Sequence, residues 1–302
     1  MPQMTLPRWI GALALVGLGL ACGQPGTTPD PAHPLAIAVW SYRDLTGSAK
    51  EQAAFFDFAS RAGLRELFLG GADLLPRRAE ALAVFLDEAQ RRGIKVSLVL
   101  GRAAWTRPDQ RSAALQAVLA VRDFDRAQVQ AGRPRLAALQ LDVEPHALPD
   151  WGRDGSKLSG QYLDLLEALK AELTGGPALH VDIPVWWHGR PIKRQGRTRP
   201  LSEWVIQLAD RTVLMDYRNR VDGIVEGAEG PLAAAEALGR PMIIGLAVHC
   251  DRGPENATTS FCRLGEGALR KAMRQADHRL SRRRSHAGFA IFTYEDWLSL
   301  GR

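Results

Sequence analysis

The sequence predicts an α/β fold of the (β/α)8 (TIM) barrel type, built as a single domain. From residue 35 onward, about eight short apolar segments alternate with amphipathic helical segments, which is the rhythm and size of such a barrel. The chain has 302 residues, 46% of them hydrophobic, which is enough for one large core. An open doubly wound sheet is the alternative. However, the segment after the first strand reads WSYRDLTG and lacks the glycine-rich dinucleotide fingerprint.

Runs of Val, Ile, Leu and Ala predict the strands, and apolar residues at helical spacing predict the helices between them. The strands cover residues 35–40, 66–71, 94–101, the start of 136–151, 178–187, 211–217, 241–248 and 288–294. The helices cover residues 50–62, 78–92, 111–130, 160–173, 202–209, 230–238 and 267–282. Glycines such as Gly63, Gly93 and Gly239 follow several of these helices, where a left-handed cap residue is expected.

The N-terminal region is predicted to be a targeting signal rather than part of the fold. Arg8 precedes an apolar stretch over residues 10–20, and the stretch ends at Ala21-Cys22-Gly23. This ending resembles a bacterial lipoprotein signal, which implies lipidation of Cys22 and a membrane anchor in the cell envelope. Ordinary signal cleavage with secretion is the alternative. Residues 23–34 are rich in Pro, Gly and Thr and are predicted to form a flexible linker, so the domains are 1–22, 23–34 and 35–302.

The charge of the chain bears on its partners, and its cysteines bear on disulfide and metal sites. The net charge of +6 comes largely from short Arg and Lys clusters with few aromatic neighbours, which indicates a solvated surface and no nucleic-acid groove. Cys250 and Cys262 lie in one loop-like segment of an exported chain, so a disulfide is expected. No ligand spacing for a metal is found and no cofactor is expected. We expect a monomer.

A pair of carboxylates ends the fourth predicted strand, in the run LQLDVEP. In a strand, residues two apart share a face, so Asp142 and Glu144 are expected to point to one side. Two neighbouring like charges are costly, and Asp142 is expected to raise the pKa of Glu144. Polar and aromatic residues also end the other strands, where barrel enzymes place their sites. These are Trp40, Tyr42, Gln140, Asp182, Trp186, Trp187, Tyr217, Tyr294 and Trp297.

Aromatic rings around carboxylates suit a sugar, because pyranose rings stack on aromatics and their hydroxyls bond to polar groups. The Asp142-Val143-Glu144 ending, Met215-Asp216-Tyr217 and Trp297 resemble the chitinase-type (family 18) glycoside hydrolases. That resemblance implies Glu144 as general acid, Asp142 as the residue that orients an acetamido group, Tyr217 as support and Trp297 as a stacking floor. The two earlier acids of the family's strand-four run are replaced here by Ala137 and Gln140. In the same interpretation Asp216 faces away from the lumen, in a structural salt bridge.

Other interpretations stay open at this point. Glu144-Pro145 is similar to the strand-four ending of the large retaining-glycosidase clan, but strand seven ends without a Glu, so Glu295 or Asp182 would have to be the partner. A metal site of the amidohydrolase type would need an HxH on strand one, which is absent. A non-catalytic lipoprotein that binds glycans at the same mouth would need the same aromatic residues but no protonated Glu144.

Overall fold

The computed structural model describes residues 35–71, 74–250 and 256–300. Residues 35–302 form one compact unit. The predicted signal, its lipidation residue Cys22 and the linker lie outside the described residues. Among the residues that are described, we find no helix with the length and apolar character needed to cross a membrane.

Eight parallel strands close into a barrel, which confirms the predicted fold class. In chain order, the strands of the described residues, including two outside the barrel, are β1 (Ile37–Ser41), β2 (Leu64–Gly70), β3 (Lys95–Leu100), β4 (Ala138–Leu141), β5 (Ala178–Pro184), β6 (Pro191–Arg194), β7 (Arg197–Pro200), β8 (Arg211–Met215), β9 (Met242–Ala247) and β10 (His286–Phe292). Around the barrel the order is β1, β2, β3, β4, β5, β8, β9 and β10, and β10 pairs with β1. Strands β6 and β7 form a separate antiparallel hairpin.

Helices follow most of the barrel strands and cover the barrel from outside. They are α1 (Ala49–Ala62), α2 (Ala79–Arg91), α3 (Arg111–Gln130), α4 (Trp151–Glu172), α5 (Leu201–Leu208), α6 (Val221–Ala237), α7 (Asn256–Thr259), α8 (Gly265–Leu280) and α9 (Tyr294–Trp297). Short 3-10 turns cover Ala103–Thr106, Pro108–Gln110, Pro145–Ala147 and Val185–Gly189.

Two helices, α4 and α6, each begin nine residues earlier than the sequence predicts. Helix α4 begins at Trp151. The sequence did not predict this start because the polar first turns of the helix carry no apolar stripe. Helix α6 begins at Val221 and contains Pro231, a residue that in sequence marks a helix start. The hairpin of β6 and β7 was also missed, since its strands are mostly Arg, Lys and Pro. Its turn is Gln195-Gly196, both at positive φ, which is the turn geometry that two-residue hairpins prefer.

The barrel interior is filled by side chains in layers. A cluster of seven buried apolar residues fills the middle: Ala38, Trp40, Phe68, Val99, Val213, Ile243 and Ala290. Nearer the N-terminal ends of the strands, Arg211 donates to the Glu66 carboxylate from both terminal guanidinium nitrogens, Nη1 and Nη2. Its Nη2 also lies 3.0 Å from Nδ1 of His180. The interior is therefore a packed core with a polar layer near the N-terminal ends of its strands, and the open space lies at the opposite end.

Candidate functional site

The end of β4 delivers the two predicted carboxylates to the barrel mouth. The strand ends at Leu141, and the backbone N–H of Asp142 still donates to the Leu100 carbonyl at 2.9 Å, which fixes the loop against β3. Pro145 then begins a 3-10 turn, with Glu144 directly before it. Both carboxylates therefore lie just beyond the strand rather than on it, at the end where barrel enzymes carry out their chemistry.

The electrostatics of this pair differ in one respect from the sequence-based expectation. Burial, and secondarily the charge of Glu144, raises the pKa of Asp142 to about 6. Burial alone raises the pKa of Glu144, whose side chain is 38% exposed. Burial is therefore the cause of the raised pKa of Glu144, where the charge of Asp142 was expected, and the charge of Glu144 adds to burial at Asp142.

Asp182 of β5 lies below this pair, inside the barrel. It is 1% exposed, and its carboxylate accepts a hydrogen bond from the Gln140 side-chain amide. The Trp40 indole also bonds to this carboxyl and favours its ionised form. Burial nevertheless dominates and, together with the charge of Asp142, raises the pKa of Asp182 well above its ordinary value. Gln140 thus bonds to Asp182 and not to Asp142.

Aromatic side chains form one wall of the mouth. The Tyr42 hydroxyl donates to Oδ2 of Asp142 at 3.4 Å, and Tyr42 is 50% exposed. Phe292 at the end of β10 packs between Tyr42, Tyr217 and Trp40. Sequence analysis missed Phe292, because Tyr294 two residues later is the more polar candidate. Burial raises the pKa of Tyr217 well above its ordinary value, so this tyrosine is a neutral hydroxyl.

Trp186 is the most exposed aromatic platform on the opposite wall. It is 45% exposed and contacts the rings of His146, Trp151 and Trp187 edge-on. His146 Nε2 lies 3.5 Å from Oε1 of Glu144, and burial lowers the pKa of His146, so the imidazole is neutral at neutral pH. Trp187 is fully buried beneath this group and supports it.

The two carboxyls line two different cavities at the barrel mouth. One, of about 680 Å³, lies over the ends of β4, β5 and β8 and is lined by Glu144, His146, Trp186 and Tyr217 among others. The second, of about 490 Å³, lies over the ends of β1, β2 and β3 and includes Asp142. Each has the size of a small-molecule site. Asp142 and Glu144 therefore stand between two ligand-sized spaces on opposite halves of the barrel.

Several candidate residues lie away from this mouth. Trp297 and Tyr294 both pack against Phe58 of α1, and Arg270 lies over the Trp297 ring, so both aromatics belong to the helix layer. They lie in the turn after β10, which ends at Phe292. Glu295 accepts hydrogen bonds from Ser41 Oγ at 2.6 Å and from the Arg43 backbone N–H at 3.1 Å.

Two further expectations concern the loops around the mouth. Cys250 and Cys262 form a disulfide, as predicted. Asp216 is fully buried in an ion pair with Arg218, beneath Gly227 of α6. This agrees with the predicted structural role. Within the described ranges, no group of three or more His, Cys, Asp or Glu side chains is arranged to hold a metal ion.

Comparisons with known proteins show which solved structures have a similar fold. No protein-family model matches the chain. No curated protein matches it by sequence. Among solved structures, a family 18 chitinase from Cycas revoluta in complex with allosamidin has a TM-score of 0.54 at 12% identity, covering 87% of this chain and 96% of that one. The spore cortex-lytic enzyme SleL of Bacillus megaterium QM B1551 has a TM-score of 0.51 at 10% identity, covering 90% and 75%.

A structure of fungal β-1,4-galactanases has a TM-score of 0.52 at 10% identity and covers 85% of this chain and 89% of that one. The fold is one that TIM-barrel glycoside hydrolases share. At these identities the likeness concerns the fold alone, so the chemistry has to be argued from the side chains at the mouth.

Proposed function

We propose that this protein hydrolyses a glycan, with Glu144 as the general acid. The observation that carries the proposal is the position of Glu144: a half-buried carboxyl with a raised pKa in the lining of the cavity that also holds Trp186 and Tyr217, two residues from Asp142, which lines the second cavity. Glycoside hydrolysis needs a carboxylic acid that still holds its proton near neutral pH and can pass it to the leaving oxygen. Partial burial supplies that proton affinity, and the remaining exposure leaves the acid accessible to a bound sugar.

Asp142 is proposed to act on the reacting sugar from the side of the second cavity. As in the family that the strand-four motif resembles, it would orient a neighbouring polar group of the substrate, an acetamido group if the sugar carries one. Tyr217 would add a neutral hydroxyl at the same centre, and Trp186 and Tyr42 would stack on rings on either side. Charge that develops on the sugar would be stabilised by the Asp142 carboxylate.

The sequence of the first 34 residues supports an extracellular or envelope setting for this activity. We propose that Cys22 is lipidated and that the barrel acts on envelope or external glycans from a membrane tether. Metabolic labelling with a radioactive fatty acid tests this directly. The full chain should take up label, and Cys22→Ser should not; label retained in the Ser variant would show that another residue is modified.

The decisive experiment for the reaction is Glu144→Gln, assayed on aryl glycosides, chitin oligosaccharides and peptidoglycan fragments. Loss of a general acid lowers turnover by about 10²- to 10⁴-fold, while the amide preserves the shape of the cavity. Glu80→Gln on the exposed side of α2 is the matched control and should keep full activity. Turnover that is unchanged in the Glu144 variant would refute the assignment. Tight glycan binding by a wild-type protein without turnover would instead establish the non-catalytic, glycan-binding alternative.

A further inference from the structure

The larger cavity of the mouth is lined by two arginines as well as by aromatic rings. Arg218 and Arg220 lie in the loop after β8, and Trp186 lies in the turn after β5, the neighbouring barrel strand. Pro184 pairs with Met215 at the ends of these two strands, so both segments leave the barrel at the same level. A sugar in this cavity therefore has an exposed aromatic ring and guanidinium groups within one lining.

Arg218 is held in place from behind. Its Nη1 donates to the buried carboxylate of Asp216. Its side chain lies along α6, where a Cβ on Gly223 would come within 2.9 Å of its Cδ and a Cβ on Gly227 would meet its Nη1. Within the described ranges, no hydrogen bond or ion pair occupies Nε or Nη2, and the side chain is 39% exposed. These two nitrogens form the edge with which a guanidinium binds a carboxylate through two parallel hydrogen bonds.

Arg220 has no ion-pair partner among the described residues. It is exposed, it is the N-cap of α6, and its side chain makes no capping hydrogen bond. A guanidinium has donors only, so it cannot accept the hydrogen bond by which Ser, Thr or Asp stabilise a helix start by about 1 kcal/mol. The helix start therefore gains nothing from this side chain, whose charge is available at the rim of the cavity.

The acids around this cavity, apart from the proposed general acid, do not neutralise both arginines. Burial raises the pKa of Asp216 to about 7, so near neutral pH it is only partly ionised beside Arg218. Asp222 is already paired with Arg279, at 2.6 Å. Glu226 is exposed on α6 and makes no ion pair in the part of the chain that the structure describes. A neutral sugar leaves a guanidinium edge unpaired, whereas a carboxylate on the sugar supplies the missing charge.

We propose that the larger cavity takes a sugar unit that carries a carboxylate, and that Arg218 and Arg220 bind this group. Arg218 donates from Nε and Nη2 and sets the position of the carboxylate, and Arg220 adds a second positive charge at the rim. The carboxylate belongs either to the ring, as in a uronic acid, or to an ether side chain, as in muramic acid. This inference rests on the proposed function for the identification of the cavity as a glycan site, and it adds the class of sugar.

Calorimetric titration of the Glu144→Gln variant tests the proposal, because no ligand is consumed whether or not the wild type turns it over. Three tetrasaccharides are compared: neutral chitotetraose, an alternating N-acetylglucosamine–glucuronate chain and an alternating N-acetylglucosamine–N-acetylmuramate chain. Each acidic ligand is also measured in its carboxyl-reduced form. At least one acidic ligand should bind about 10-fold or more tightly than its reduced form at low salt, and the difference should narrow at about 0.5 M salt. The ligand that shows the difference identifies the source of the carboxylate.

Further substitutions are added to that variant. Arg218→Gln should weaken binding of the acidic ligand about 10- to 100-fold and leave the neutral ligand unchanged. Arg220→Gln should weaken it about 2- to 5-fold, and Glu226→Gln should strengthen it by a similar factor, because a like charge is removed. Arg274→Gln, on the exposed face of α8, is the matched control and should change neither affinity. Arg220 and Glu226 are exposed, so their variants still report if Arg218→Gln fails to fold.

Two results would overturn the proposal. One is equal affinity for the acidic and reduced forms of both ligands, including no binding of either acidic ligand at millimolar concentration. The other is an equal loss of neutral and acidic binding in Arg218→Gln and Arg220→Gln. Turnover of chitotetraose by the wild type with no preference for acidic ligands would leave the proposed function standing and refute the carboxylate site. Carboxylate-dependent binding without turnover would do the reverse.

Discussion

Replacing His180 by Asn should make the barrel more resistant to acid. His180 lies inside the barrel, 8% exposed, and its Nδ1 accepts a hydrogen bond from Arg211. Burial, and secondarily the charge of Arg211, lowers the pKa of His180 from 6.5 to about 3. An Asn side-chain oxygen can accept the same hydrogen bond but cannot take up a proton, so the variant isolates the titration from the packing.

The sign and size of the effect follow from proton linkage. The unfolded chain binds a proton at His180 below about pH 6.5, whereas the folded chain resists protonation until about pH 3. Stability from this group is therefore fully present above pH 6.5 and is lost as the pH falls toward 3. A difference of about 3.5 pH units corresponds to about 5 kcal/mol, of which about 3 kcal/mol is lost by pH 4.

Urea denaturation followed by tryptophan fluorescence, at pH 7 and at pH 4, measures this difference. Between the two pH values wild type should lose about 3 kcal/mol more unfolding free energy than His180→Asn, since all other groups titrate in both proteins. His278→Asn, on the exposed face of α8, is the matched control and should follow wild type. Parallel behaviour of wild type and His180→Asn would show that His180 does not titrate as a buried neutral group, and the reasoning would fail.

Two further predictions concern the mouth and its support. Trp186→Ala removes the exposed aromatic ring of the larger cavity and should weaken binding of a chitin oligosaccharide, measured by calorimetry, roughly 3- to 10-fold. The control Val84→Ala, on α2, should bind like wild type. Equal affinity in wild type and both variants would exclude Trp186 from the binding surface. Gly227→Ala would place a Cβ against Nη1 of Arg218 and 2.6 Å from Oδ1 of Asp216, whereas Gly160→Ala meets nothing within 4 Å. Thermal unfolding should therefore show the first variant destabilised by about 1–3 kcal/mol and the second stabilised by about 0.5–1 kcal/mol; stabilisation of both would mean that α6 does not press on Asp216.

The barrel was predictable because its signals are local and repeated. Each strand is a short apolar run, and each helix carries an apolar stripe, so errors in single boundaries did not change the topology. The elements that the sequence did not predict correctly have local causes. The β6–β7 hairpin has few apolar residues, and Pro231 lies inside α6 although proline usually marks a helix start.

The site was predictable in position but not in pairing. Sequence periodicity places Asp142 and Glu144 at the end of the fourth strand, and the structure agrees. Sequence periodicity cannot show that Gln140 bonds to Asp182 on the next strand, because that contact depends on the register between two strands 40 residues apart. It also cannot separate Phe292, which reaches the mouth, from Trp297, which packs outside. That choice depends on where β10 stops and the chain turns.

The placement of the two cavities on opposite halves of the barrel has a consequence for substrate length. If Glu144 cuts at their junction, sugar units that fill the outer parts of either cavity contribute binding energy far from the bond that breaks. Such remote binding energy can be used to distort and hold the reacting unit. Shortening an oligosaccharide should then lower kcat as well as raise KM, and a small aryl glycoside that fills only one cavity should be a slow substrate even at saturation.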